Sequence, residues 1–176
     1  MDITLDVFNR ETGQNLGMED ITEYDLGNCY GITKEDIGRI WQECHSEITK
    51  RSIPIMDLYE FMDMWERYGQ RGKNRNEIII VTARPEEEKE DTLLWLKNNR
   101  VRYDEIYFGY ESKIKAVQKY FLDVFVDDRE ENIRGIDESE ELRCEAFLVD
   151  RPYNRTYQTN NRIYTQGVED LIELTK

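Results

Sequence analysis

Positive charge is scarce in this chain. Its 24 lysines and arginines face 38 aspartates and glutamates, leaving a formal net charge of −14 over 176 residues. Such a surface argues against direct binding of nucleic acid or of an anionic membrane. It also means that an anionic ligand has to be met by local cations or by a metal. Histidine is rarer still: His45 stands alone, so a histidine metal site or a catalytic triad has little to draw on. The three cysteines, Cys29, Cys44 and Cys144, are odd in number and lack paired spacing. That disfavours disulfides and zinc and makes a reducing cytoplasm the expected location. No apolar run approaches the ~20 residues of a membrane span. The opening MDITLDVF has no basic stretch leading into an apolar one, so no signal peptide is read there. Missing, too, is any strand-like run that ends in Asp-x-Asp.

What is present reads as one α/β domain, residues 1–176. Thr4 to Asn9 reads as the end of a helix stopped at Thr12–Gly13, with a strand across Ile3 to Phe8 as the alternative. Thr33 with the TKED sequence forms a capping box. Ile37, Ile40, Trp41 and Cys44 then recur at helical spacing until Ser52–Ile53–Pro54 breaks the pattern. Met56 to Trp65 is a further expected helix. From Ile78 the pattern changes. Ile78 to Thr82 is β-branched throughout, as in a strand buried on both faces. Pro85 and three glutamates then suit a helix start, and Leu93 to Leu96 supply that helix with apolar residues. Tyr103 to Phe108, Val124 to Val126 and Ala146 to Val149 are further strands. Helices alternate with them, which implies right-handed crossovers and a parallel sheet. Arg129 to Leu142 is expected to be loop and solvated helix.

Two strands end in reactive residues, where open α/β sheets hold their ligands. The run LDVFVDDR places Asp127 and Asp128 at a sheet edge. Paired carboxylates there call for a counter-charge. Mg²⁺ takes oxygen ligands while keeping waters and substrate phosphate oxygens in its shell. Helix capping by one of the aspartates is the competing reading. The run NEIIIVTAR ends in Thr82, whose hydroxyl and neighbouring N–H groups suit a phosphate at a helix start. Lys113, fourteen positions before Asp127, opens the intervening helix and can neutralise a phosphoryl oxygen; Lys115 is the alternative.

Thr82-Ala-Arg, a lysine opening a helix, and FVDD resemble motifs two, three and four of the haloacid-dehalogenase-like phosphatases. NRETGQNLGMEDITEYDL and LVDRPYNR resemble segments of their bacterial and phage 5′(3′)-deoxyribonucleotidase-like members. The resemblance implies a Rossmann-like parallel sheet flanked by helices, with a small helical cap at residues 16–68 and an α/β core at 69–176. It implies Mg²⁺-dependent removal of phosphate from a nucleoside monophosphate or other small phosphate ester. Thr82 and Lys113 are then catalytic, Asp127 and Asp128 hold the metal, and Arg84 and Arg129 touch substrate. In that family an aspartate attacks phosphorus and a second, two positions later, serves as acid and base.

Here this sequence departs from the pattern. The strand bearing Asp-x-Asp should precede the first helix, and roughly fifteen residues are expected to be missing from that side, given usual strand and helix lengths. That first core strand, absent or replaced, lies between the strands of Thr82 and Asp127 in the family. Its loss leaves unpaired backbone on both neighbours. The neighbours could pair with each other, Asp2 to Phe8 could fill the gap, or a strand-donating partner or second copy could do so. As an isolated chain the expected result is an inactive nucleotidase-type fold. The alternative is a non-catalytic binding protein acting through a nucleotide site or through an acidic, nucleic-acid-mimicking surface.

Overall fold

A helix opens the chain because Asp2 accepts the backbone N–H groups of Thr4 and Leu5, leaving few first-turn donors unpaired. The computed structural model describes residues 2–54, 77–109 and 112–163. Within it, α1 spans Ile3–Thr12 and ends on Gly13 at φ 69°, a left-handed stop that glycine tolerates. Ile3 to Phe8 is therefore helix, not strand. Helix α2 spans Leu26–Tyr30 and α3 spans Lys34–Arg51. The expected capping box begins α3: Asp36 N–H donates to Thr33 Oγ1, and Asp36 Oδ2 accepts from the Thr33 amide and hydroxyl. Val7, Phe8, Tyr30, Ile40 and Ile48 bury together and bind α1, α2 and α3 into one helical unit. The expected helix across Met56 to Trp65 lies outside the described residues, as does the boundary at 68/69.

The strands follow the expected order. Strand β1 (Ile79–Val81) pairs in parallel with β2 (Glu105–Tyr107), and α4 (Lys89–Asn98) crosses between them. A 3₁₀ turn, Glu86–Glu88, leads into α4 after Pro85. Thr92 and Leu96 form the buried face of α4, whereas Leu94 is exposed. Helix α5 (Lys113–Tyr120) leads to β3 (Val124–Asp127), and α6 (Glu130–Asp137) leads to β4 (Glu145–Val149). Strands β3, β4 and a short β5 (Arg162–Ile163) pair in parallel in that order. The acidic segment after Arg129 is thus an ordered amphipathic helix, with Ile133 and Ile136 buried against Phe125, Ala146 and Leu148. The result is a mixed α/β architecture of parallel sheets flanked by helices, Rossmann-like as expected.

One feature departs from a continuous sheet. Among the described residues β1–β2 and β3–β4–β5 are separate sheets. Strands β1 and β3 do not pair. Instead both line a cavity of about 230 Å³ walled by Ile79, Val81, Val124 and Val126. This explains why β1 is only half-buried despite its apolar sequence, and why Val126 is 42% exposed. Since Asp2 to Phe8 is helical, that segment does not fill the gap as a strand either.

Candidate functional site

Strand β3 delivers Asp127 into a pocket of donors. The Asp127 side chain is 2% exposed, and Lys113 Nζ donates to its Oδ2 at 2.7 Å. Lys113 reaches it from the first turn of α5. Asn132 Nδ2, from α6, lies 3.3 Å from the same oxygen, and the Arg129 amide donates to Oδ1 at 2.9 Å. The last bond closes an Asx turn just before α6, whose N-cap is Arg129 with no side-chain cap bond, so neither aspartate caps that helix as the competing reading had it. Burial of the carboxylate is thus compensated by one cation and two further donors.

Asp128 is held differently. Tyr153 Oη donates to its Oδ2 at 2.5 Å. Its Oδ1 accepts no hydrogen bond among the described residues. Tyr153 belongs to the 3₁₀ turn Pro152–Asn154, which follows β4. Burial, then the neighbouring Asp128 charge, pushes its hydroxyl well above the usual phenol range, so it remains a donor. Asn154, fully buried, ties this turn to both strand ends: Nδ2 donates to the carbonyls of Asp128 at 2.7 Å and Val149 at 2.9 Å.

Among the described residues the side chains of Thr82, Arg84 and Arg129 make no hydrogen bond to Lys113, Asp127 or Asp128. Thr82 follows β1, and its Oγ1 accepts the Arg84 amide at 3.2 Å. Val81, its neighbour, lines the same cavity as Lys113 and Asp127. Arg84 is turned toward the helices. Its Nη1 donates to Thr49 Oγ1 at 2.8 Å and Thr92 Oγ1 at 3.0 Å, latching α3 to α4. The Lys50–Asp91 ion pair and the bond from Trp95 Nε1 to the Ser52 carbonyl reinforce that latch. Arg129 stacks its guanidinium over Tyr24, 4.9 Å from the ring centroid. Together with Tyr24, Trp41 and Tyr153 it lines a second cavity of about 800 Å³, beside Asp128.

Sequence reasoning missed Tyr153, Asn154 and Asn132. Nothing local to the Pro-Tyr-Asn triplet says that its tyrosine reaches back 25 residues to Asp128. No cluster of three or more potential metal-ligating side chains occurs among the described residues. Mg²⁺ is commonly held by one or two carboxylates with water and substrate phosphate, and Asp127 and Asp128 are the carboxylates here that could take that part. Asp128 Oδ1 is available for such a role, while both oxygens of Asp127 are already engaged. No described helix is long and apolar enough to cross a membrane.

Paired carboxylates and a lysine at the carboxyl end of a parallel strand define the chain as an α/β protein with a compact polar site. Comparison with known sequences gives the family. A protein of Halalkalibacterium halodurans is 30% identical over 153 residues, covering 86% of this chain and 73% of the relative. A Bacillus subtilis protein is 25% identical over 148 residues, covering 84% and 72% respectively. One from Oceanobacillus iheyensis is 23% identical over 164 residues, covering 89% and 83%. Each of the three carries the name "Putative nucleotidase". The chain belongs to this nucleotidase family. No protein-family model matches it, and neither does any solved structure.

Proposed function

We propose that the site is the metal- and phosphate-binding half of a haloacid-dehalogenase-like nucleotidase whose ligand is a nucleoside monophosphate. The observation that carries this reading is the meeting of Lys113 and Asp127 at 2.7 Å, with Asp128 adjacent, at the end of β3. A lysine at that place offsets the charge of a phosphoryl group. Asp128, and Asp127 if Lys113 turns to the phosphate, would hold Mg²⁺. The ion supplies Lewis-acid stabilisation of phosphoryl oxygens when bound. Thr82 offers a hydroxyl and its neighbouring amides to the phosphate. Arg129 and the aromatic wall of the larger cavity receive the nucleoside. Arg84, engaged by Thr49 and Thr92 at the α3–α4 contact, takes no direct part in this reading.

The 176 residues contain no Asp-x-Asp to attack phosphorus. The enzymatic acceleration of phosphate-monoester hydrolysis is among the largest known, and most of it would be lost with the nucleophile. The expected behaviour is binding without turnover. A further strand, seated between β1 and β3, would join the two sheets and is the natural place for the missing carboxylates. Equilibrium dialysis with a deoxynucleoside monophosphate tests the reading. Retention that requires Mg²⁺ and disappears in Asp128→Ala supports it; retention indifferent to both contradicts it. Rapid phosphate release by these residues alone would refute the missing-nucleophile argument.

A further inference from the structure

We propose that Tyr153 is a positioning residue that sets the orientation of the Asp128 carboxylate and makes it depend on the seating of the N-terminal helices. The idea rests on the reading of Asp128 as a metal-facing carboxylate. Its two ends do different things. The ring packs against the helical core formed by α1, α2 and α3. It also meets Tyr24 edge-on, with centroids 5.6 Å apart and planes at 83°. The hydroxyl leaves that apolar setting to donate to Asp128 Oδ2 at 2.5 Å, a charge-assisted bond at the short end of its range.

The two aspartates differ in how firmly they are held. Asp127 receives donors from Lys113, Asn132 and the Arg129 amide. Asp128 receives one side-chain donor among the described residues, Tyr153. Among the described residues its carboxylate orientation therefore rests on that one side-chain bond.

The backbone that carries Tyr153 is rigid, so the hydroxyl is delivered to a fixed place. Asn154 uses both amide hydrogens, on the carbonyls of Asp128 and Val149. Its Oδ1 accepts from the Arg151 amide at 3.1 Å and from Arg162 Nη1 at 2.7 Å. With two donors and two acceptors filled, the side chain has no spare hydrogen-bonding capacity. Arg162 Nη2 adds bonds to the carbonyls of Asn154 and Tyr157. The turn is therefore anchored to the ends of β3 and β4, while its tyrosine ring belongs to the helical unit. The Arg155–Glu19 ion pair makes a second bridge between the same two parts. A displacement of the helices would pull on the ring and so rotate the Asp128 carboxylate.

Tyr153→Phe keeps the ring and removes only the hydroxyl. Mg²⁺ is titrated calorimetrically into the wild-type chain and the variant, and both are melted in a chelator. The expected result is that wild type binds Mg²⁺, Tyr153→Phe binds about tenfold or more weakly, and the metal-free melting point moves little. Equal Mg²⁺ affinity in the two proteins overturns the inference. Absence of Mg²⁺ binding in wild type would overturn the metal reading instead. Crystal structures of the metal-free pair then decide the present claim. Asp128 in one rotamer in wild type, but turned or split in Tyr153→Phe, supports it; an unmoved Asp128 overturns it.

Discussion

Lys113 and Asp127 carry the account at the level of single residues. Removal of the lysine leaves a carboxylate with 2% side-chain exposure and no cation partner among the described residues. Lys113→Ala is expected to lower stability by about 3 kcal/mol, the range for a buried charge that loses its partner. Lys113→Ala combined with Asp127→Asn should recover part of that loss, and urea unfolding measures both. A second prediction concerns Cys144. Burial, aided by the charges of Asp123 and Glu145, pushes its thiol from an ordinary 9.0 to about 11. At mildly alkaline pH its alkylation should lag well behind that of free cysteine, because the thiolate is the reacting form. These residues were unequally legible in sequence. Lys113, Asp127 and Asp128 could be chosen only in combination, because helix capping by an aspartate and a solvated lysine each explain one of them taken alone. Arg84 could be chosen too, but its hydrogen bonds to Thr49 and Thr92 could not be foreseen, since they are set by how α3 packs on α4. Tyr153 is a tertiary contact and leaves no local signal.

Elements were easier to read than contacts. The Thr33 capping box, the Gly13 stop and the four expected strands, of which the first is β-branched throughout, each depend on local chemistry, and each forms where the sequence placed it. Thr33→Ala should cost about 1 kcal/mol through loss of the α3 cap, read as a drop in the denaturation midpoint. Strand β5 was not legible, and α6 was legible only as loop and solvated helix, without its buried face. Strand β5 is two residues long and gains its hydrogen bonds from β4 alone. Helix α6 hides its apolar face in an acidic segment, because only Ile133 and Ile136 need to reach the core. The break between the sheets has its own consequence. Among the described residues β1 is half-buried and paired on one edge, whereas β4 is paired on both edges and nearly all buried. Hydrogen exchange should therefore show the amides of β1 exchanging well before those of Phe147 and Leu148. Equal protection would mean that the sheets are joined in solution.

For the whole molecule, the strongest pH effect is expected on the alkaline side. Tyr30, its hydroxyl buried and bonded to Asn9, is pushed from 10.0 to about 12, and Cys144 to about 11. Both groups hold their protons longer when folded. Stability is then complete below about pH 9, where the unfolded thiol and phenol are also protonated, and falls as pH rises toward the folded values. Urea midpoints should be level from neutral to about pH 8.5 and decline above it; Tyr30→Phe should flatten the decline. Everything functional returns to whether the twin aspartates bind a hard cation. Crystals soaked in Mn²⁺, an anomalous scatterer that accepts the same oxygen ligands as Mg²⁺, give the most direct answer. An anomalous peak is expected bonded to the carboxylate of Asp128, alone or with Asp127. Peaks confined to other acidic residues, with Asp128 bare at saturating Mn²⁺, would contradict that expectation.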